Sequence, residues 1–357
     1  MSTPLFTVIM PLYNHAQYVS QAIQSVFNQT LDNWELIICD DGSSDNSFEV
    51  ASQYSCDRVR LIRKSRNEGS PDALNSCLFA AKGEYITWLS SDDLFVKTKL
   101  QAHAEHFGSR SDLSISVAPF LTMSGEAINK PKQFIPRTRG EQLTQFLFKN
   151  YINGLSVATR MECFMECGGF DKRYSHAADV HRWLTLFRRF QPAFFDGDGQ
   201  SISRLNTASQ PNGLWGTKFE PVRLIYNDLM RYGFAAFIPY EEWQDEEIRI
   251  SKIIEVSLLL KHRHSLFTRW GLADFVDGWL LYWLSKYQID IPKFIKVALL
   301  RSEGDEFVYS GFLRLRDTPK GSAYKLHSFL DVMRHVKGKF GPEFDSFLVE
   351  YQRYGIM

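Results

Sequence analysis

The stretch WELIICDDGSSD, residues 34–45, joins an apolar run to an acidic turn that contains a glycine. Its first half has the length and the apolar content of a buried strand, and Asp40 and Asp41 follow where that strand would end. Two carboxylates beside a glycine offer hydrogen-bond acceptors at a turn where the backbone can approach a ligand closely. We therefore expect Asp41 to bind a ligand and Asp45 to cap the next helix.

Strand-like and helix-like segments alternate on both sides of this stretch. Apolar runs predict strands over residues 6–11, 34–39, 58–62 and 85–89, and helical spacing predicts helices over residues 16–28, from Ser47, and over 72–81. Such alternation is typical of βαβ units with a parallel sheet and an α/β fold. Ligands of such sheets bind beyond the carboxyl ends of the strands, so the polar turns at those ends should converge on one pocket.

The pattern changes near residue 215. Strand signals nearly vanish, and long stretches with helical spacing follow at residues 222–232, 246–260, 272–287 and 324–336. We expect two domains, an α/β domain over residues 1–214 and a helical domain over residues 215–357.

The charges of the chain are balanced, with 41 Lys and Arg against 41 Asp and Glu. No overall field would draw the protein to nucleic acid, so we do not expect a nucleic-acid partner. The N-terminus has no basic segment followed by an apolar one, and no run of about 20 uncharged apolar residues predicts a membrane span. A cytoplasmic location is the resulting expectation.

Asp92 and Asp93 follow the apolar run of residues 85–89. Adjacent carboxylates repel each other unless a cation or hydrogen bonds offset the repulsion, and Mg²⁺ or Mn²⁺ prefer such oxygen ligands. A helix N-terminus, where acidic residues are also favourable, remains the alternative for this pair. Asp179 begins another helical run and, taken alone, is open to the same interpretation.

Other catalytic patterns are missing from the sequence. It has no Gly-x-Ser-x-Gly elbow of a serine hydrolase, no phosphate-binding Gly-x-x-x-x-Gly-Lys-Ser/Thr loop, and no Gly-x-Gly-x-x-Gly after the first strand. His176 and His181 are chemically able to act as bases, but no metal-binding His-Glu-x-x-His spacing accompanies them.

Taken together, the motifs resemble those of the family 2 glycosyltransferases of the GT-A fold, over roughly residues 5–210. The matching segments are Pro11-Leu12-Tyr13-Asn14, residues 35–45, Asn67-Glu68-Gly69 with Asn75, residues 83–86, Ser91-Asp92-Asp93, Gly168-Gly169-Phe170-Asp171, and Asp179 with Trp183-Leu184. Their order and spacing are specific, although no single motif is decisive.

The resemblance implies a GT-A domain with a Rossmann-like, mostly parallel central sheet flanked by helices, followed here by a mainly helical C-terminal region. It also implies an inverting transfer of a sugar from a nucleoside diphosphate donor, most often a UDP-sugar, to an acceptor hydroxyl on a glycan, a lipid-linked glycan or a protein. The donor-binding residues would be Pro11, Tyr13, Asn14, Asp41, Asn67, Asp92 and Arg204, with Asp41 on the base.

Catalytic roles follow from the same resemblance. Asp93, with Asp92, would bind the Mn²⁺ or Mg²⁺ that bridges the donor phosphates, and Asp179 would be the general base. Two positions depart from the family pattern, because Ser90 and Ala178 stand where acidic residues are common. Those departures motivate an alternative, a catalytically silent scaffold that binds nucleotide or glycan.

A sugar nucleotidyltransferase should carry a Gly-rich basic loop after the first strand, and residues 11–15 are not such a loop.

The helical region could position the acceptor, form a homo-oligomer, or dock on the inner face of a membrane through the aromatic stretch at Trp270 and residues 280–284. A plain helical core is the alternative.

Overall fold

The computed structural model of the chain describes residues 3–131, 133, 135–136, 142–143, 146, 150–205, 224, 228, 231–238, 240–265, 287–289 and 297–298. The chain divides into two compact units, one made of Met1–Pro136 with Asn150–Pro221 and the other of Arg137–Lys149 with Val222–Met357. The expected domain boundary at residue 214 lies outside the described residues and stays a prediction.

The first unit contains strands and helices in alternation. Its strands are β1 (Phe6–Leu12), β2 (Trp34–Asp40), β3 (Val59–Arg63), β4 (Tyr85–Trp88), β5 (Leu94–Phe95), β6 (Ile115–Val117), β7 (Leu121–Ser124), β8 (Ala127–Asn129), β9 (Val157–Arg160), β10 (Pro192–Phe194) and β11 (Ser201–Arg204). Its helices are α1 (Val19–Phe27), α2 (Ser47–Ser52), α3 (Ser70–Ala80), α4 (Lys99–Gly108), α5 (Met161–Cys167) and α6 (Ala178–Arg189), with a 3-10 turn at Gly154–Ser156. The predicted α/β alternation is confirmed.

Seven of the described strands form one sheet in the order β10-β6-β9-β4-β1-β2-β3. β1 runs parallel to β2 and to β4, β2 runs parallel to β3, and β6 runs parallel to β10. β9 is antiparallel to both of its neighbours, β4 and β6. The sheet is therefore mostly parallel, as expected, and its first four strands end at one edge.

The apolar run of residues 34–39 is buried on both faces of β2. Leu36 and Ile38 pack in one cluster with residues of α1, whereas Ile37 and Cys39 pack in a second cluster with residues of α3. A strand covered by helices on both faces needs apolar residues at successive positions, which explains a continuous run in place of alternation.

Helix α1 begins three residues later than its spacing predicts. The backbone N–H of His15 donates to Ser47 Oγ at 2.8 Å, and that of Ala16 donates to Asp45 Oδ2 at 3.1 Å. Residues 15 and 16 are thus held by the neighbouring turn, and the helix starts at Val19.

A second, four-stranded sheet has the order β5-β11-β7-β8. β11 runs antiparallel to β5, with Ile202 opposite Leu94. Because β5 starts directly after Asp93, this pairing brings the end of β11, with Arg204, to the acidic pair.

The described residues of the second unit form helical elements only. They are a 3-10 turn at Gly233–Ala236 and the helices α7 (Tyr240–Trp243) and α8 (Glu246–Ser265). No described helix is both long enough and apolar enough to cross a membrane. The aromatic stretch at Trp270 and residues 280–284 lies outside the described residues.

Lys99, at the start of α4, is completely buried. Its Nζ lies 3.0 Å from Nε2 of the equally buried His103, and 4.8 Å from the centroid of the Phe95 ring. His103 Nδ1 is 2.8 Å from Ser116 Oγ. Burial lowers the pKa of Lys99 to about 7 and, together with the charge of Lys99, lowers the pKa of His103 well below its ordinary value.

This lysine should make folding stability depend on pH. An unfolded lysine keeps its proton up to about pH 10.4, whereas folded Lys99 loses it near pH 7. Below pH 7 both states carry the proton, and the folded protein bears the full cost of a buried ammonium. From pH 7 towards 10 only the unfolded state stays protonated, so this cost falls as pH rises. We expect the unfolding free energy of the wild type to gain on that of Lys99→Met by up to about 1.4 kcal/mol per pH unit in this range.

Urea unfolding at pH 7, 8 and 9 measures this difference. Lys97→Met, which removes an exposed lysine two residues away, is the control and should differ from the wild type by a constant amount. Parallel pH curves for the wild type and Lys99→Met would contradict the prediction.

Candidate active site

The turns after β1, β2, β3 and β4 lie at the same edge of the large sheet, because these strands are parallel neighbours. The turn after β4 is joined to the turn after β1 by His15 Nδ1, which lies 2.8 Å from Ser91 Oγ. The pairing of the strands thus places these turns at one edge, whereas their convergence on a single pocket stays a prediction.

The turns after β1 and β2 are bonded to each other through Asn14. Its N–H donates to Ser43 Oγ at 3.0 Å, and its Oδ1 accepts the N–H of Ser44 at 2.8 Å. Asn14 has a φ of 51°, a left-handed conformation that asparagine adopts more readily than most residues. The side chain of Asn14 therefore links the turns after β1 and β2, in addition to any contact that it makes with a ligand.

The other residues expected along β1 differ in exposure. Pro11 is half-buried within the strand, opposite Cys39 of β2. Tyr13 is 42% exposed, so its ring is accessible at the edge where a ligand would lie. Asp45 accepts the N–H of Ser47, the first residue of α2, at 3.0 Å. The N-cap position of α2 is Asn46, however, so Asp45 binds the helix start from one residue further out than expected.

Asp41 is buried, and its carboxylate holds the turn after β3. It accepts the N–H of Glu68 at 3.1 Å and that of Gly69 at 2.7 Å, and Lys64 Nζ lies 3.3 Å from its Oδ1. Asn67 stands in the same turn, where its Oδ1 accepts the N–H of Gly69 at 3.0 Å. Hydrogen bonds to the backbone of this turn thus bring together Asp41 and Asn67, which are both expected to bind the donor.

Gly42 lets the acidic turn approach the turn after β3. Its φ is +72°, and a Cβ at this position would lie 2.6 Å from the backbone carbon of Arg66. The close approach is backbone against backbone, so a side-chain rotation cannot relieve it. Both the conformation and the space at this position require glycine.

We expect Gly42→Ala to destabilise the protein by more than the usual left-handed penalty of about 1 kcal/mol. Gly125→Ala is the matched control, because Gly125 has a φ of +59° but an added Cβ would meet nothing within 4 Å. Urea unfolding of both variants separates the clash from the penalty for positive φ. Equal losses of stability in the two variants would contradict the tight approach described here.

Asp93 is nearly buried and lies against Arg204. The N–H of Arg204 donates to Asp93 Oδ1 at 2.7 Å, and Nε of Arg204 donates to the carbonyl oxygen of Asp92 at 2.9 Å. The guanidinium also bonds Gln21 at 2.8 Å and lies 4.8 Å from the centre of the Tyr18 ring. The structure thus brings Arg204 to the acidic pair.

Burial, and next the charge of Asp92, raise the pKa of Asp93 to about 7. A divalent cation would offset this repulsion, and carboxylate oxygens suit Mg²⁺ or Mn²⁺. Within the described part of the chain, no group of three or more His, Cys, Asp and Glu side chains could hold a metal ion. A cation at Asp92 and Asp93 would need ligands besides the described His, Cys, Asp and Glu side chains, such as oxygens of water, backbone or a bound diphosphate.

Asp179 lies at the start of α6 and lines an open pocket of about 320 Å³. The pocket lining combines aromatic and polar side chains, including Trp88, Phe120, Tyr151, Ser90 and Asn150. Asp179 Oδ2 accepts a hydrogen bond from Asn150 Nδ2 at 2.7 Å, and Asn150 Oδ1 accepts the N–H of Ile152 at 3.2 Å. Asn150 therefore fixes one oxygen of the expected base.

The turn before α6 is tied to the rest of the unit on two sides. Asn75 of α3 bonds both backbone groups of Phe170, at 2.8 and 2.7 Å. The buried Arg182 of α6 donates to the carbonyl oxygens of Gly168 and Gly169. These bonds fix the start of α6, and with it Asp179, against the sheet.

Sequence reasoning did not identify Lys64 or Asn150. Lys64 follows β3, so the rule that led to the other strand-end residues would have found it. Asn150 lies in a segment without a motif, 29 residues before Asp179, and no sequence signal pointed to it.

Known glycosyltransferases are similar to part of the first unit. Residues 7–167 match the sequence profile of Glycosyl transferase family 2. An uncharacterized glycosyltransferase of Rickettsia felis is 30% identical over 201 residues, which cover 54% of this chain but 33% of that protein. The E. coli enzyme WfgD, a UDP-Glc:alpha-D-GlcNAc-diphosphoundecaprenol beta-1,3-glucosyltransferase, is 40% identical over 101 residues, covering 28% of this chain and 40% of that enzyme.

Solved structures confirm the expected fold. The S. aureus TarS fragment 1–349 in complex with UDP superposes with a TM-score of 0.53 at 14% identity, and the match covers 98% of this chain and 91% of that one. At this identity the likeness concerns the fold, which is of the α/β GT-A type with a mixed central sheet flanked by helices. The match to the sequence profile of Glycosyl transferase family 2 over residues 7–167 agrees with this fold.

Proposed function

We propose that the protein is an inverting glycosyltransferase that moves a sugar from a nucleoside diphosphate donor to an acceptor hydroxyl. One observation carries the proposal: Ser90, two residues before the acidic pair, lines the same pocket as Asp179. The candidate base therefore lies near the segment that carries the candidate cation site, as a single displacement requires. The family profile supports the reaction class.

The donor nucleotide would lie at the turns after β1, β2 and β3. Asp41 would accept a hydrogen bond from the base, with Asn67 beside it and with Pro11, Tyr13 and Asn14 lining the same edge. UDP is the favoured nucleotide, since TarS was solved with UDP and with UDP-GlcNAc, and WfgD is named for a UDP-Glc donor.

The diphosphate would lie at Asp92, Asp93 and Arg204. Asp93, with Asp92, would hold Mn²⁺ or Mg²⁺, which offsets the negative charge that builds up on the departing diphosphate. Arg204 would hold the acidic pair in place, since its N–H bonds the Asp93 carboxylate and its Nε bonds the carbonyl oxygen of Asp92.

Asp179 would act as the general base. It would take the proton of the acceptor hydroxyl while that oxygen bonds to the anomeric carbon and the bond from this carbon to the diphosphate breaks. Attack from the face opposite the nucleotide inverts the configuration. Asn150 would keep the carboxylate oriented, because it bonds one of its oxygens.

The acceptor would be a glycan, a lipid-linked glycan or a protein. The proposed helical domain over residues 215–357 could position it, form a homo-oligomer or contact a membrane, with a plain helical core as the alternative. The cytoplasmic location also remains a prediction.

Replacing the base tests the mechanism. We expect Asp179→Asn to lower kcat by about 10²–10⁴-fold, the usual contribution of general base catalysis, and to leave UDP binding within about twofold. The side-chain amide oxygen can still accept from Asn150, so the pocket should keep its shape. Steady-state transfer assays and calorimetric UDP titration measure the two effects. Unchanged turnover would favour the alternative suggested by Ser90 and Ala178, a catalytically silent scaffold.

A thermal-shift screen tests the donor and the cation. We expect UDP with Mn²⁺ to raise Tm more than UDP alone, because a cation held by the acidic pair should lower the Kd for UDP. A ligand that binds the folded state stabilises it by about 2.7 kcal/mol at a hundredfold excess over Kd. GDP, dTDP and CDP are the comparisons. Asp93→Ala should lose the Mn²⁺-dependent part of the shift, and a variant with an undiminished shift would exclude Asp93 as a metal ligand.

A further inference from the structure

The guanidinium of Arg204, at the end of β11, is held by three neutral groups. Its Nε donates to the carbonyl oxygen of Asp92 at 2.9 Å, and its Nη2 donates to Oε1 of Gln21 at 2.8 Å. Its carbon lies 4.8 Å from the centre of the Tyr18 ring, within the range of a cation–π contact. Gln21 stands 183 residues before Arg204 in the chain, so no local sequence pattern connects the two.

These contacts leave the guanidinium with its charge and with part of its hydrogen-bonding capacity. An arginine side chain has five N–H donors and no acceptor, and it keeps its proton in proteins. Two of the five donors are used in the bonds to Asp92 and Gln21, and no other acceptor among the described residues bonds the side chain. Since an amide oxygen is neutral, Gln21 fixes the cation without neutralising it.

The remaining donors suit a ligand that carries several anionic oxygens. A planar guanidinium can bind two phosphate oxygens at once through parallel N–H bonds. Arg204 is half-buried, so part of its surface is open to a ligand. Asp92 and Asp93, which lie beside it, would repel an anion, and a fixed positive charge at this place offsets that repulsion.

The bond from Gln21 orders the side chain of Arg204 before any ligand arrives. A free arginine side chain has many rotamers, and a ligand that has to order it loses affinity. Gln21 is itself well fixed, because it lies in the first turn of α1. The turn before this helix is joined to the acidic segment, where His15 Nδ1 lies 2.8 Å from Ser91 Oγ.

We propose that Gln21 is a positioning residue that holds the guanidinium of Arg204 in place to bind the diphosphate of the donor. This inference rests on the proposed function, in which the diphosphate lies at Arg204 and the acidic pair. Gln21 acts through Arg204 and needs no contact of its own with the donor. Its loss should therefore weaken the binding of the phosphates and leave the binding of the nucleoside unchanged.

Calorimetric titration of the full chain with UDP, and displacement of UDP by uridine, both with Mn²⁺, test this inference. Uridine has the base and the ribose but no phosphate, so the ratio of uridine Kd to UDP Kd measures what the phosphates contribute. We expect Arg204→Met to lower this ratio at least about tenfold, the loss typical of a hydrogen bond to a charged group. Gln21→Met, which keeps the side-chain length but removes the acceptor, should lower it at least about threefold.

Gln24→Met is the matched control, because it replaces another exposed glutamine one turn further along α1. Its ratio should change less than about twofold, as expected for a surface substitution. A purely structural effect of Gln21→Met would weaken uridine and UDP binding equally, so an unchanged ratio in this variant would overturn the inference.

A double-mutant cycle shows whether Gln21 acts through Arg204. In the Arg204→Met background, Gln21→Met should have almost no further effect on the ratio, because no guanidinium is left to hold. Equal effects in both backgrounds would overturn the inference. If Arg204→Met does not fold, Arg204→Lys serves in its place, since an ammonium cannot reproduce the planar fork, and the same loss of coupling is expected.

The outcomes for the two residues also separate this inference from the proposed function. A ratio that falls in Arg204→Met but not in Gln21→Met contradicts the inference alone. A wild type that binds no nucleoside diphosphate, or an Arg204→Met variant with an unchanged ratio, contradicts the proposed position of the diphosphate and with it the role of Gln21.

Discussion

The carboxylate of Asp41 is shielded from water, and a shielded anion is costly unless donors surround it. Here the donors come from the turn after β3 and from Lys64. Satisfying this one anion therefore joins the ends of β2 and β3, and the bonds of Asn14 add the end of β1. The hydrogen bonds that join these turns also fix the side chains that would face the nucleotide base in the proposed function.

The opposite side of the candidate site depends on different forces. Asp93 stays next to Asp92 in a nearly buried position, held by the backbone of Arg204, although burial and charge raise its pKa to about 7. An arrangement of this kind stores repulsion that a cation would relieve. Asp179 accepts a hydrogen bond from the amide of Asn150, and the nearby turn at Gly168–Phe170 is held by Asn75 and by the buried guanidinium of Arg182. Hydrogen bonds to amide and carbonyl groups therefore organise much of this half of the site.

Local sequence patterns were sufficient to predict β1 to β4 and the helices between them. The sequence runs that form β1 to β4 are continuously apolar, and the helices between them have clear helical spacing. The predicted elements therefore differ from the observed ones only at their ends. An example is α1, whose start is delayed by the bonds of His15 and Ala16. The antiparallel β9 and the second sheet were not predicted, because their short strands pair with partners distant in the chain. Arg204 and Asp93 are 111 residues apart, and no local pattern reveals their contact.

Gly154 has a consequence for how sequence changes at this site would be recognised. A Cβ at this residue would lie 2.5 Å from an atom of the Trp88 ring, so the segment that begins with Asn150 can lie flat on the indole only while position 154 has no side chain. Under the proposed mechanism, a genetic screen for lost activity would recover substitutions at 154 alongside those at Asp179. Such alleles would displace Asn150, whose amide bonds the proposed base, and would leave the proposed base itself in place.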